Sequence, residues 1–110
     1  MTQEGKPKHT TIEFAISELA NKSSFARVDA RDYLVSMKDK AVPHLVEALK
    51  SDNQWVRWEA AKALGKIGDP AASHALINAL EDKMFDVRWI AAEGLIAIGR
   101  KSLIPLLAAL

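Results

Sequence analysis

The chain has 110 residues, 49% of them hydrophobic and 26% charged, and a net charge of +1; this suits one soluble globular domain and excludes a general electrostatic pull toward nucleic acid or acidic membranes. Its lack of cysteine excludes disulfides, thiolate metal sites and cysteine nucleophiles, and fits a reducing compartment. No apolar run approaches the roughly 20 residues of a membrane span, and MTQEGKPKHT at the start has no signal-like apolar stretch, so a cytoplasmic location is the expectation.

Residues 1–9 read as a polar tail and 10–110 as one domain. Thr10-Thr11-Ile12-Glu13 has the form of a capping box, with Thr10 as cap and Glu13 reaching back; it opens a first helix expected over about 11–21. VPHLVEALK then sets Val42, Leu45, Val46 and Leu49 on one helical face. In DNQWVRWEAAKALGKIG, Asn53 is a plausible cap, and Val56, Ala60, Ala63, Leu64 and Ile67 follow the i, i+4, i+7, i+8, i+11 spacing of a single face. Gly68 stands just past that helix, where a left-handed cap favours glycine. Asp69-Pro70 supply a cap and a first-turn proline for the next helix. KMFDVRWIAAEGLIAIG repeats the pattern up to Gly99, expected to be a second cap. KSLIPLLAAL opens a fourth copy, with Pro105 in the place of Pro43.

The repeat is the strongest signal in the chain. A shift of 31 carries Val56-Arg57-Trp58 onto Val87-Arg88-Trp89, Ala60-Ala61 onto Ala91-Ala92, Leu64 onto Leu95, and Ile67-Gly68 onto Ile98-Gly99. A shift of 30 links Arg27, Asp29, Ala30, Leu34 and Met37 to Arg57, Glu59, Ala60, Leu64 and Ile67. Each unit is expected to be an A helix, a turn, a B helix and a turn, with units at about 11–39, 40–69, 70–100 and a partial one at 101–110.

The pattern V-R-x-x-A-A-x-A-L-G-x-I-G, borne by Val56-Arg57, Ala60-Ala61, Ala63-Leu64-Gly65 and Ile67-Gly68, resembles the HEAT repeats, in particular the short HEAT-like repeats of phycobilin lyases. The next copy departs at Gly94 and Ile96, which exchange the glycine position. The first departs at Ala26, Arg31 and Lys38, the last replacing the terminal glycine. The resemblance covers about residues 12–110. It implies an all-α fold, a right-handed α-solenoid of antiparallel helix pairs, with B helices lining a concave face where similar proteins bind partners.

On α-helical geometry of about 100° per residue, Trp55, Glu59, Lys62 and Lys66 form a second stripe beside the core stripe of the second unit, with Trp58 next to it. The third unit offers Phe85, Asp86, Trp89, Ile90, Glu93 and Ala97, and the first Phe25, Val28, Asp29 and Asp32. The resemblance turns this stripe into the concavity and makes Trp55, Trp58, Glu59, Lys62, Phe85, Asp86, Trp89, Ile90 and Glu93 the candidate partner-binding residues. Tryptophan suits such a role because it buries much area with few rotors to freeze. Trp58 and Trp89 have an equally good second reading, as rings wedged between neighbouring B helices. Glu59, Lys62, Lys66 and Glu93 read as a solvated face. Arg27, Arg57 and Arg88, one per unit, read as a ladder that pairs with acids or turn carbonyls of the adjacent unit.

Little in the sequence points to catalysis. His9, His44 and His74 lack ligand spacing, there is no phosphate-binding glycine loop, and no serine sits in a nucleophile elbow. No cofactor or metal is expected. Nucleic acid is disfavoured, because Asp29, Glu59, Asp86 and Glu93 share the stripe with two lysines. The apolar LIPLLAAL leaves an open end, which favours a fragment or a contact with a second copy over a sealed monomer. Three functions fit. The first is a protein-interaction module that takes a protein or peptide on the B-helix face. The second is a lyase-like accessory subunit holding a chromophore or its acceptor protein. The third is an architectural piece of a larger helical assembly.

Overall fold

A computed structural model describes residues 11–108 and is entirely helical over that range, apart from turns. Six α-helices alternate short and long: α1 Ile12–Glu18, α2 Ser24–Ser36, α3 Val42–Ala48, α4 Gln54–Ile67, α5 Ser73–Ala79 and α6 Phe85–Ala108. Single 3-10 turns at Lys38–Lys40 and Pro70–Ala72 lead into α3 and α5. The short helices α1, α3 and α5 are the A helices, and each packs against the B helix that follows it. The B helices form their own layer, with α4 between α2 and α6. The molecule is elongated, 58 × 34 × 19 Å, as expected of an α-solenoid in which each unit touches mainly its neighbours.

The core lies between the two layers. Leu19, Leu34, Leu45, Leu64, Leu76 and Val87 are its largest fully buried side chains, each contributing about 1.5–3 kcal/mol of transfer free energy. The expected stripe of α4, from Val56 to Ile67, is buried throughout. Two of the expected caps hold: the Asn53 side chain accepts from Trp55 N–H, and the Asp69 side chain from Ala71 N–H. Gly68 ends α4 at φ 75°, in the left-handed region.

Two expected helix ends are corrected. Thr11, not Thr10, caps α1, accepting from Phe14 N–H at 3.0 Å. The register is one residue later than the capping box required, which puts Phe14 instead of Glu13 at the third helical position, and the helix is shorter than 11–21. Thr10 itself lies outside the described residues. Gly99 is no cap: α6 runs straight through it, and 101–108 extends that helix in place of a fourth A helix. A Cβ at Gly99 would meet nothing within 4 Å, so no packed neighbour forces the chain to turn there.

Two backbone positions carry direct consequences. Lys38, at the place of the terminal glycine, adopts φ 51°, which costs a residue with a Cβ about 1 kcal/mol or more. Gly65 and Gly94 bring α4 and α6 into backbone contact: a Cβ on Gly65 would stand 2.8 Å from Gly94 Cα. The exchanged glycine of the third unit is thus the partner of the second unit's glycine across the helix–helix contact. Urea unfolding should show Lys38→Gly more stable than the parent by about 1 kcal/mol. The same measurement should show Gly65→Ala less stable by about 1–3 kcal/mol, because the overpacking outweighs alanine's better helix propensity.

Candidate partner-binding groove

The first turn of each B helix carries an arginine that holds the turn preceding it. Arg27 Nη1 donates to the carbonyls of Asn21 and Lys22, at 2.8 and 3.1 Å. Arg57 Nη1 does the same to Ser51 and Asp52, at 2.9 and 3.2 Å, and Arg88 Nη1 to Asp82 at 2.8 Å. The carbonyls belong to the arginine's own unit, whereas the acid comes from the next one. Arg57 makes a forked pair with the Asp82 carboxylate, Nε–Oδ2 2.8 Å and Nη2–Oδ1 3.2 Å. The arginine ladder is therefore structural, and it joins consecutive units.

The first B-helix interface is built differently. Glu59 of α4 faces α2, where its Oε1 accepts from Arg31 Nη1 at 2.7 Å and its Oε2 lies 3.5 Å from Arg27 Nε. Both guanidinium groups also lie over indoles of α4, Arg27 4.6 Å from the Trp55 ring centre and Arg31 5.9 Å from that of Trp58. Cation–π attraction of this kind contributes about 0.5–2 kcal/mol as water is excluded. The Nε atoms of Arg27 and Arg31 find no hydrogen-bond partner among the described residues.

These side chains wall a hollow of about 600 Å³ that spans the three B helices, lined by Arg27, Val28 and Arg31 of α2, Gln54, Trp55, Trp58 and Glu59 of α4, and Met84, Asp86 and Val87 at the start of α6. Phe25, Phe85 and Trp89 are exposed on the same helices. A smaller hollow further along α4 and α6, about 330 Å³, has Lys62, Ile90, Glu93 and Gly94 in its wall.

The candidate residues fall into two groups. Trp55, Phe85, Asp86, Trp89 and Glu93 are exposed and Lys62 is half-buried. The Trp89 indole donates to Glu93 Oε2 at 3.0 Å, and its ring stands 6.2 Å from that of Phe85. Trp58 is partly buried and packs on the core, so the two equivalent tryptophans have different settings. Two expectations are corrected: Glu59 is 4% exposed, not solvated, and Ile90 is 5% exposed and belongs to the core. They are equivalent positions in successive units, and each faces the preceding B helix. Asp29, the first-unit equivalent, has no preceding B helix and is exposed. Arg31, read from the sequence only as a lost alanine, is the neighbour of Glu59 and Trp58 that sequence reasoning missed; its signal is a charge placed where the other units have alanine.

Burial by itself raises the Asp82 carboxyl. Hydrogen bonds from Arg57 and from Met84 N–H, with the charges of Arg57 and Lys83, outweigh it and hold the pKa below the ordinary 3.8. A depressed carboxylate contributes stability that is present above its unfolded value and lost as pH falls through the folded one. Acid unfolding followed by circular dichroism should therefore steepen below about pH 4 in the parent. Asp82→Asn should lose that part of the dependence and be less stable at neutral pH.

The repeats visible in the sequence have relatives. The chain matches the family described as HEAT repeats over residues 12–96. It is 40% identical over 79 residues to the phycocyanobilin lyase subunit alpha of Picosynechococcus sp., a match that covers 66% of this chain and 30% of that protein. Among solved structures it is similar to the complex of CpcE and CpcF of phycocyanin lyase from Nostoc sp. PCC7120, at a TM-score of 0.65 and 33% identity, covering 89% of this chain and 40% of the matched one. The chain thus spans well under half the length of either relative. Its paired helices, arginine-clamped turns and repeated V-R-x-x-A-A signature make it a member of the HEAT repeat family, with repeats of the phycobilin lyase type.

Proposed function

We propose that this chain is an accessory docking module that takes a protein partner on its B-helix face. The observation that carries the reading is the 600 Å³ hollow walled by Trp55 and Trp58, with Phe25, Phe85 and Trp89 exposed around it. Large rings clustered at a concavity supply most of the contact energy in protein interfaces. Arg27 and Glu59 fix the inner side of this cluster, so less side-chain freedom is lost on binding. Trp55 and Trp89 act as the anchors, with Phe85 beside them. Asp86, Glu93 and Lys62 are charges at the margin that select among partners. The relatives are subunits of lyases, and one of them is solved as a complex of two proteins, which supports a role inside an assembly.

A second reading has its own support. A hollow of this size, with flat aromatic walls and two partly buried guanidinium groups, also suits a planar chromophore, and one relative is named for phycocyanobilin. One experiment separates the two. The parent and a Trp55→Ala/Trp89→Ala variant are immobilised side by side, each checked for unchanged helicity, and offered phycocyanin, the protein named in the solved relative, and then phycocyanobilin. Docking predicts that the parent retains phycocyanin and the variant loses it at least about tenfold, the effect of about 1.4 kcal/mol. A shift in phycocyanobilin absorbance with the parent would favour the second reading. Equal retention of phycocyanin by both proteins would remove the aromatic face from the account.

A further inference from the structure

The last helix carries the pattern of an unused A helix. In register with the second unit, Leu103, Ile104 and Leu107 stand where Ala41, Val42 and Leu45 stand, as Pro105 stands for Pro43. Ala41, Val42 and Leu45 are at most 5% exposed, whereas Leu103, Ile104 and Leu107 are 49%, 65% and 55% exposed. The surface that such a helix would cover is open too. Ile77 of α5 and Leu80 just past its end are exposed, although their equivalents Val46 of α3 and Leu49 just past it pack against the core. The chain therefore displays both an A-helix segment and a vacant place for one.

It cannot join the two itself while α6 stays unbroken. At 1.5 Å per residue, α5 runs about 10 Å and α6 about 36 Å, so 101–108 projects past the N-terminal end of α5. Lys101 fastens the start of the projection, its Nζ donating to Ile67 O at 2.9 Å. Arg100, exposed beside the projecting segment, and Glu81, exposed at the end of α5, have opposite charge. We propose that two copies of this chain exchange these parts reciprocally: segment 101–108 of each lies on the α5 face of the other, in the place of a fourth A helix. Burial of three aliphatic side chains at each of two sites drives the pairing, and exchange of an element between identical chains needs no new surface. The pairing uses the end of the stack and leaves the B-helix hollow free.

Sedimentation over a range of concentrations should show a monomer–dimer equilibrium for the parent. Ile104→Asp and, independently, Ile77→Asp should each weaken the dimer by at least about a hundredfold with unchanged helicity, since both side chains are exposed. Because the chain has no cysteine, Asn78→Cys and Ala108→Cys variants can be mixed and joined by a short bismaleimide; inter-chain product at dimer concentrations supports the exchange. A monomer at all concentrations overturns it, as does a dimer indifferent to both aspartates. Cross-linking within single chains of a monomeric double-cysteine variant also overturns it, by showing that the segment folds back at Gly99.

Discussion

Side-by-side packing of the B helices is the constraint on which the molecule depends. A helix at the edge of the layer has a B-helix neighbour on one flank only, but α4 is held by α2 on one flank, α6 on the other and α3 behind. Eight of its fourteen residues are buried, Arg57 and Glu59 among them. Its flanks must then be either very small or internally neutralised. On the α6 side they are small, and Gly65 meets Gly94 at backbone distance. On the α2 side they are charged, and Glu59 is matched by two arginines. The cost of desolvating those charges is offset by their mutual attraction and by the indoles beneath the guanidinium groups.

That asymmetry also creates the hollow. Where the glycines meet, the helices close up. Where the arginines meet Glu59, the hollow opens, with Trp55 and Trp58 in its wall. The aromatic groove and the ion cluster are therefore one feature: Arg27, Arg31 and Glu59 line the same hollow as the two rings.

Much of this was legible in the sequence. The helical period gave the core stripe of α4 residue by residue, and the 31-residue shift gave the pairing of helices, because both follow from α-helical geometry alone. Arg27, Arg57 and Arg88 could be read as a ladder because one recurs in each unit. Glu59 and Ile90 were misplaced for a definable reason: a two-stripe reading assumes one buried face, whereas each of these B helices also buries the flank that faces the preceding one. The sequence offers no mark that distinguishes flank from solvent face at one position, except that Glu59 becomes Ile90 one unit later. Gly99 misled in the opposite sense. A glycine permits a left-handed cap, but packing of the following segment is needed to enforce one, and α6 shows what happens without it. The one-residue shift from Thr10 to Thr11 is the ordinary ambiguity of two adjacent residues with the same capping chemistry.

The ladder has one further consequence. Arg57 grips its own turn and also Asp82 of the next unit, while Arg27 grips its own turn and reaches Glu59 without a full set of hydrogen bonds. The seam between α4 and α6, where Gly65 meets Gly94 at backbone distance, is the tighter of the two, and the one between α2 and α4, with the strained Lys38 in the connection after α2, is the looser. Among the packed helix pairs, thermal fraying should then begin with the first, with amide protons of α1 and α2 exchanging before those of α4, so that the wall of the hollow contributed by α2 can breathe while the tryptophan-bearing wall stands still.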